Sequence, residues 1–255
     1  MRDVLSPSSA VNLVNPSGMG RVVLICEHAS NHFPARFGDL GLTRADENSH
    51  VAWDPGAYGL ALRLSAALDA PLIASTVSRL VYDCNRPPDA ADAMPAKSEL
   101  IHVPGNADLN AEQKAARVAS IYDPFCAAVA QVLDGRDTGT IIVTVHSFTP
   151  IYFGKPRSVE IGLLHDGDSR LVDAMLDQTH ALAHRNIQRN QPYGPEDGVT
   201  HTLTKHALPR GLANVMLEVR NDLLGDDEAI AAITHEILTL LTPAIQKLST
   251  TEHQK

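Results

Sequence analysis

The stretch Val22–Asn31, with the sequence VVLICEHASN, decides the fold class of this protein. Its first five residues are apolar and mostly branched, as in a strand that is buried on both faces of a parallel sheet. The apolar run ends abruptly at Glu27 and His28. Because open α/β sheets present their functional groups at the carboxyl ends of the strands, these two side chains are candidates for a functional site.

Two later stretches repeat this design. Residues 140–145 are apolar or β-branched and are followed by His146, and residues 212–217 lead in the same way to Glu218. If the three strands are parallel neighbours in one sheet, their polar ends crowd one edge of it. Imidazole and carboxylate groups at one edge are the ligands and bases of metal hydrolases, so the pattern favours that class.

The composition indicates a globular protein that does not bind nucleic acid. Of the 255 residues 44% are hydrophobic and 20% are charged, and the formal net charge is -9. Phosphate binding needs clustered Lys and Arg, so an acidic chain argues against a nucleic-acid partner. Residues 1–20 are polar, and the sequence shows neither a signal peptide nor a long apolar span, so we expect a cytoplasmic protein without a membrane partner.

Strands alternate with helices along the chain. This order predicts an α/β fold of three layers, in which a mostly parallel or mixed central sheet has helices on both faces. We expect residues 21–255 to form a single domain and residues 1–20 to be an irregular N-terminal arm. The three cysteines lack CxxC spacing, which argues against disulfides or a cysteine zinc site.

The two histidines at strand ends are the first candidates for metal binding. A catalytic zinc site needs three protein ligands and an open position, and imidazole is a common ligand. With His28 and His146 as ligands, the third is Asp54 or Glu27. Adjacent residues of a strand point to opposite faces, so Glu27 and His28 fit one ion poorly and we favour Asp54. The alternative is that Asp54 is the N-cap of a helix that begins at Asp54-Pro55.

Glu218 is the candidate for a general base. Partial burial at the end of an apolar strand raises the pKa of a carboxyl group into the useful range. The alternative is a salt bridge from Glu218 to Arg220 or another arginine.

Three arginines form the second set of candidates. Planar guanidinium groups bind carboxylates through two hydrogen bonds, so Arg79, Arg86 and Arg157 are suited to an acidic small molecule. The alternative is that they pair with acidic residues of the chain, namely Asp83, Asp166 or Asp222. The motifs GxSxG, GxxxxGK[ST] and GxGxxG are absent, so serine-hydrolase, P-loop and dinucleotide functions lack support.

Several short motifs occur in an order that resembles the N-formylglutamate amidohydrolase family, over residues 22–224. The resemblance implies a fold similar to zinc carboxypeptidases, one divalent metal ion (Zn²⁺) per chain, and hydrolysis of an N-acyl amino acid. In relatives the substrate is formylglutamate, which becomes glutamate and formate late in histidine breakdown. The motifs are CEHASN, WDPGA, SRLVYDCNRP, VHSFTPIYFGKPR, EIGLLHD, NQPYG and MLEVRNDL.

The resemblance also implies roles for individual residues. His28 and His146 take the positions of metal ligands, Asn85 and Arg86 those of a clamp for the substrate carboxylate, and Glu218 that of the base. The HxxE pair of the wider carboxypeptidase-like group is here His28-Ala29-Ser30-Asn31, so its carboxylate ligand is missing and Asp54, Glu27 or a loop histidine must replace it. Two alternatives follow, a hydrolase for a different N-acyl amino acid and a metal-free binding or sensing protein that retains the pocket.

Overall fold

The computed structural model describes residues 10–252, with side chains described as far as residue 250. The strands are β1 (Val11–Val14), β2 (Val22–Cys26), β3 (Leu72–Ser75), β4 (Lys97–Ser98), β5 (Ile101–His102), β6 (Ile141–Phe148), β7 (Ile151–Tyr152), β8 (Lys155–Pro156), β9 (Ile161–Leu164), β10 (Ile187–Arg189) and β11 (Asn214–Arg220). The α-helices are α1 (Arg44–Glu47), α2 (Ala57–Leu68), α3 (Ala111–Arg117), α4 (Asp123–Asp134), α5 (Arg170–Leu176) and α6 (Asp227–Glu252).

Seven strands form one mixed sheet in the order β1-β3-β2-β6-β11-β9-β10. The central strands β3, β2, β6 and β11 are parallel to one another. At one side β9 and β10 run antiparallel to β11, and at the other β1 runs antiparallel to β3. The predicted mixed α/β fold is confirmed, and the three strands whose ends carry the candidate residues are direct neighbours.

Each face of the sheet has its own apolar core. Leu24 and Val143 face a core shared with α2, α5 and α6, whereas Ile25 and Ile142 face a core shared with α4. This alternation follows from the two-residue period of a strand, and burial on both faces requires apolar residues throughout. All five residues of β2 are buried, as its uniformly apolar sequence predicts.

The expectation of irregular structure throughout residues 1–20 is wrong for Val11–Val14. These residues form strand β1, in which Val11 is opposite Ser75 and Val14 is opposite Leu72. The segment is short and contains three apolar residues and one asparagine. It pairs with the edge of β3, whose backbone groups would otherwise be unpaired. Residues 1–9 lie outside the described part of the chain, and the division into an arm and a single domain stays a prediction.

Asp54 does not cap helix α2. The helix begins at Ala57, and its N-cap residue is Gly56, which has a φ of 81°. Asp54 instead begins a tight turn, in which the amide of Ala57 donates to its carbonyl oxygen at 3.1 Å. The predicted N-cap is wrong because the Asp54 side chain points to the sheet edge, where it meets the candidate histidines.

Helix α6 is the longest helix and part of the core. Its segment Asp227–Thr250 is long and apolar enough to cross a membrane by length and composition, a test that the core helix of a soluble protein also passes. Ile233, Ile237 and Leu241 are fully buried, and α6 packs against α2 and α5. Packing in the core therefore accounts for these buried apolar residues of the helix. The helix continues through Pro243.

We expect Gly56→Ala to reduce the stability of this fold. A Cβ atom at Gly56 would lie 2.3 Å from Cβ of Leu224, and the left-handed backbone disfavours any side chain. The free energy of unfolding should fall by about 2 kcal/mol or more, measured by urea denaturation.

Gly211→Ala is the matched control. Gly211 also has a left-handed backbone, with a φ of 64°, but a Cβ atom added there would meet no other atom within 4 Å. This variant should lose only about 1 kcal/mol from backbone strain. Equal losses in the two variants would show that contact with Leu224 contributes nothing.

Candidate metal and active site

The sheet register brings the predicted residues together. His146 and Glu218 are direct partners on the neighbouring parallel strands β6 and β11, so their side chains lie next to each other on the same face. Glu27 follows β2 with the same alternation and reaches that face as well, where its carboxylate lies 3.1 Å from Nε2 of His146. His28 comes after the end of β2, so strand alternation does not fix its direction, and its side chain points towards His146.

Three ligand-type atoms form a small triangle at this edge. Nδ1 of His28 and Nδ1 of His146 are 3.2 Å apart, and Oδ2 of Asp54 lies 3.2 Å from the first and 3.0 Å from the second. All three side chains are buried. A tetrahedral zinc ion bound at about 2.0–2.1 Å separates its ligand atoms by about 3.3–3.4 Å, close to these values. His28, Asp54 and His146 could therefore hold one metal ion.

The other nitrogen of each imidazole faces a second buried carboxylate. Nε2 of His28 lies 2.7 Å from Oδ1 of Asp83, and Nε2 of His146 lies 3.1 Å from Oε2 of Glu27. The hydrogen bond to Asp83 places the proton of His28 on Nε2 and leaves its Nδ1 as the lone-pair donor. The contact between His146 and Glu27 is an ion-pair distance without hydrogen-bond geometry. Glu27, the alternative third ligand, thus lies behind His146, while Asp54 lies on the shared point.

The charge balance also fits a divalent cation. Three carboxylates, those of Glu27, Asp54 and Asp83, contact the two imidazoles. Burial alone would raise their pKa values, but the neighbouring imidazoles, and Arg79 at Asp54 and Asp83, lower them. Against the effect of burial, Glu27 and Asp54 raise the pKa of His146, so its imidazole carries a proton until a metal displaces it. With both histidines neutral as metal ligands and one positive charge from Arg79, two negative charges remain, which is the charge that a divalent ion neutralises.

Arg79 lies between two of these carboxylates. Its Nη1 is 3.3 Å from Oδ1 of Asp54 and its Nη2 is 2.8 Å from Oδ2 of Asp83. The ion pair of Arg79 with Asp83, which was the alternative to substrate binding, is thus present. Both terminal nitrogens of Arg79 are therefore occupied by acidic side chains of the site. This arrangement orients Asp54 and leaves Arg79 less available to a substrate.

Asn85 and Arg86 line the cavity but are also held by the chain. The Asn85 side chain donates to the carbonyl of Val199 and accepts from the amide of Thr202 at 3.0 Å. Arg86 donates through Nη1 to the carbonyl of Gly198 at 3.1 Å and through Nε to Asp92 at 2.6 Å. Both side chains therefore join the loop that begins at residue 198 to the wall of the site.

Glu218 has a buried oxygen without a partner. The side chain is 5% exposed, and Oε2 has no hydrogen-bond partner within residues 10–250. Burial raises the pKa of Glu218 to about 7, with the charge of Asp54 acting in the same direction and His146 opposing it. A carboxylate with this pKa can both accept and return a proton near neutral pH. The alternative pairing with Arg220 is not formed, since Arg220 binds Asp222.

These side chains surround a cavity of about 160 Å³. The sequence did not single out Tyr193, Tyr152, Phe148 or Glu99 among the lining residues, because single aromatic or acidic residues at strand ends and in loops carry no spacing signal. Arg157 is not itself a lining residue, but it donates through Nη1 to the hydroxyl of the lining residue Tyr193 at 2.9 Å. The remaining lining residues are His28, His50, Val51, Asp54, Arg79, Asn85, Arg86, Ser98, His146, Ser147, Thr149, Val199 and Glu218.

The loop residue His50 and the helical residue His201 do not contribute to the triangle. Nε2 of His50 is 2.8 Å from Glu99, and Nε2 of His201 is 2.8 Å from the hydroxyl of Tyr122. Within residues 10–250, the one group of three or more His, Cys, Asp or Glu side chains suited to a metal ion is that of His28, Asp54 and His146.

Known proteins share this fold and these segments. The chain is 48% identical to the gene product Atu2144 from Agrobacterium tumefaciens, with a TM-score of 0.92 over 94% of this chain and 96% of that one. A crystal structure of N-formylglutamate amidohydrolase from Ralstonia eutropha JMP134 is 20% identical, with a TM-score of 0.64 over 97% of this chain and 100% of that one, a likeness of fold. Among curated proteins none is significantly similar to this chain. The model of the N-formylglutamate amidohydrolase family matches residues 20–224. The chain belongs to that family.

Proposed function

We propose that this protein is a zinc-dependent amidohydrolase that cleaves an N-formylated acidic amino acid, N-formylglutamate, to glutamate and formate. The observation that carries the proposal is the triangle of His28 Nδ1, His146 Nδ1 and Asp54 Oδ2 beside the unpaired oxygen of Glu218. Membership of the family supports the reaction and the substrate. A cytoplasmic location is part of the proposal.

Asp54 is the proposed third ligand in place of the missing HxxE carboxylate. Its Oδ2 lies at the point that both imidazoles face, and its Oδ1 is held by Arg79. The amide of Ser147 donates to the same Oδ2 at 3.2 Å, which fixes the carboxylate further. The hydrogen bond from Nε2 of His28 to Asp83 supports this arrangement, because it leaves the Nδ1 lone pair of His28 pointing inward.

When bound, a zinc ion supplies a Lewis acid that polarises the formyl carbonyl and lowers the pKa of water. Glu218 accepts a proton from the attacking water at Oε2 while the oxygen adds to the formyl carbon. As the carbon–nitrogen bond breaks, Glu218 returns that proton to the leaving amine nitrogen, so one water is consumed and formate and the amine are released. Arg79 holds Asp54 and Asp83 throughout, which keeps the geometry fixed.

The substrate's carboxylates require cationic or amide partners at the cavity wall. Arg86, Asn85, Arg157 and Arg79 are the proposed substrate-binding residues. The protein contacts of Arg79 and Asn85 assign these two mainly to orienting the site. Arg86 is also paired, with Asp92, so Arg157 is the strongest of the four candidates for direct contact with a carboxylate.

We expect hydrolysis of N-formylglutamate to depend on zinc. Protein stripped with a chelator should lose turnover, and adding back one equivalent of zinc should restore it, because the bound ion activates the water and the carbonyl. Turnover is measured from released formate.

N-formylaspartate and N-succinylglutamate are the comparison substrates. Faster hydrolysis of either compound would support the proposed amidohydrolase activity but reject N-formylglutamate as the substrate. A stripped protein that turns over at the full rate, or a purified protein that binds no metal, would reject the metal-dependent mechanism.

The three proposed ligands should each be needed for metal binding. His28→Ala, Asp54→Ala and His146→Ala should each lose stoichiometric zinc, measured by mass spectrometry of the metal in folded, dialysed protein. His50→Ala is the control, since His50 lines the same cavity but its Nε2 contacts Glu99. Retention of one zinc per chain by His146→Ala would show that His146 is not a ligand.

Glu218→Gln should abolish most of the activity without loss of metal. The amide preserves shape but cannot accept the proton, so kcat should fall by about a hundredfold or more. Metal content should stay stoichiometric, because Glu218 lies outside the triangle. Normal turnover in this variant would reject the role of Glu218 as the base.

A further inference from the structure

The arginines around the cavity differ in how their charge is balanced. Arg79 is paired with Asp54 and Asp83, and Arg86 with Asp92. Arg157 forms no ion pair with a carboxylate among the described residues, and its side chain donates instead to the neutral hydroxyl of Tyr193, although the protein as a whole is acidic. It is therefore the guanidinium at this cavity whose positive charge the chain itself leaves uncompensated.

Three aromatic rings enclose this guanidinium. Its Cζ lies 4.3 Å from the ring centre of Tyr152, 4.8 Å from that of Tyr193 and 5.5 Å from that of Phe148. Such distances are within the range of cation–π attraction, and rings on several sides restrict the side chain to few conformations. All three rings line the cavity that also holds Glu218. The charge is thus held at the border of the proposed active site.

The backbone of Arg157 is held on both sides. Its amide donates to the carbonyl of Pro150 at 2.8 Å, and its own carbonyl accepts from Nη1 of Arg220 at 3.1 Å. Arg220 is the last residue of β11, the strand that carries Glu218. The position of the guanidinium is therefore tied to the same strand as the proposed base, which reduces the entropy lost when a ligand binds.

Tyr193 lines the cavity and is hydrogen-bonded to Arg157. Its hydroxyl oxygen accepts from Nη1 of Arg157 at 2.9 Å, so the hydroxyl hydrogen remains available to a second partner. Burial raises the pKa of Tyr193 to about 12, which keeps the phenol protonated as a donor at neutral pH. In the described part of the chain, no protein acceptor is seen for that hydrogen.

We infer that Arg157 and Tyr193 form a carboxylate-binding subsite that selects anionic substrates. The guanidinium supplies the charge and the phenol O–H supplies a directed hydrogen bond to the same carboxylate. Partial burial of a cation without an acidic partner raises the free energy of the unliganded protein, and an anionic ligand offsets this increase. The inference deepens the proposed function, since the identity of the substrate rests on it, and it adds Tyr193 as a specificity-determining residue.

Glutarate is the probe that separates this subsite from catalysis. It carries the carboxylates of the substrate but no amide, so the zinc-loaded protein can bind it without hydrolysis. We expect Arg157→Met to weaken glutarate binding, measured by calorimetry, by about tenfold or more, and Tyr193→Phe to weaken it by about threefold to tenfold. Arg157→Lys should retain part of the affinity, because it keeps the charge without the planar fork.

Arg189→Met is the matched control. Arg189 pairs with Asp173 and does not line the cavity, so its loss removes the same charge from the protein without touching the subsite. Its affinity for glutarate should equal that of the wild type. Zinc content and thermal unfolding should be unchanged in all these variants. Unchanged glutarate affinity in Arg157→Met, or an equal loss in Arg189→Met, would overturn the inference.

Kinetics with N-formylglutamate give an independent readout. The subsite predicts that KM rises in Arg157→Met and Tyr193→Phe while kcat stays within about twofold, since both residues bind the carboxylate and not the reacting carbonyl. A fall in kcat with unchanged glutarate affinity would assign Tyr193 to the reacting carbonyl and overturn the inference. Normal glutarate binding without any formylglutamate turnover would instead reject the proposed function and leave the subsite standing.

Discussion

The site depends on the carboxylate of Asp54, which two imidazoles and a guanidinium share. One of its oxygens lies 3.0–3.2 Å from the Nδ1 atoms of His28 and His146, and the other lies 3.3 Å from Arg79. A buried carboxylate is stable only when its lost hydration is replaced by such partners. Removing any one of them would leave a charge uncompensated, so these groups stabilise one another as a set.

The central sheet places this set with little freedom. Parallel pairing of β6 with β11 puts His146 opposite Glu218, and pairing of β2 with β6 brings Glu27 and His28 to the same edge. A shift by one residue would move His146 to the opposite face, into the core with α2. Burial of both faces prevents that shift, so the packing of apolar residues fixes the geometry of polar ones.

The two kinds of arginine at the cavity have different physical tasks. Arg79 neutralises buried acids and holds them in place, whereas Arg157 is enclosed by aromatic rings and left without an acid. The first arrangement holds the proposed metal ligands in place, and the second is the proposed binding site for a carboxylate of the substrate. An acidic protein can in this way present a local cationic site to an acidic substrate.

The sequence by itself determined the strands that end in the site and most of the chemistry there. The mostly apolar and β-branched runs that lead to Glu27, His146 and Glu218 favour burial in a parallel sheet, and such a sheet brings the ends of its strands to a shared edge. The family motifs added the expected reaction. Strand alternation favoured Asp54 over Glu27 as the third ligand, because adjacent residues of a strand point to opposite faces, whereas the family motifs left the choice open.

Only the tertiary structure decided which distant groups meet. Asp83 faces His28, Tyr193 faces Arg157, and Asn85 binds the backbone of residues 199–202, contacts between segments far apart in sequence. Strand β1 likewise forms because an open edge is present at β3, a feature that no local pattern encodes. Local sequence specifies backbone conformation through propensity and periodicity, whereas these contacts depend on how the loops fold back over the sheet edge.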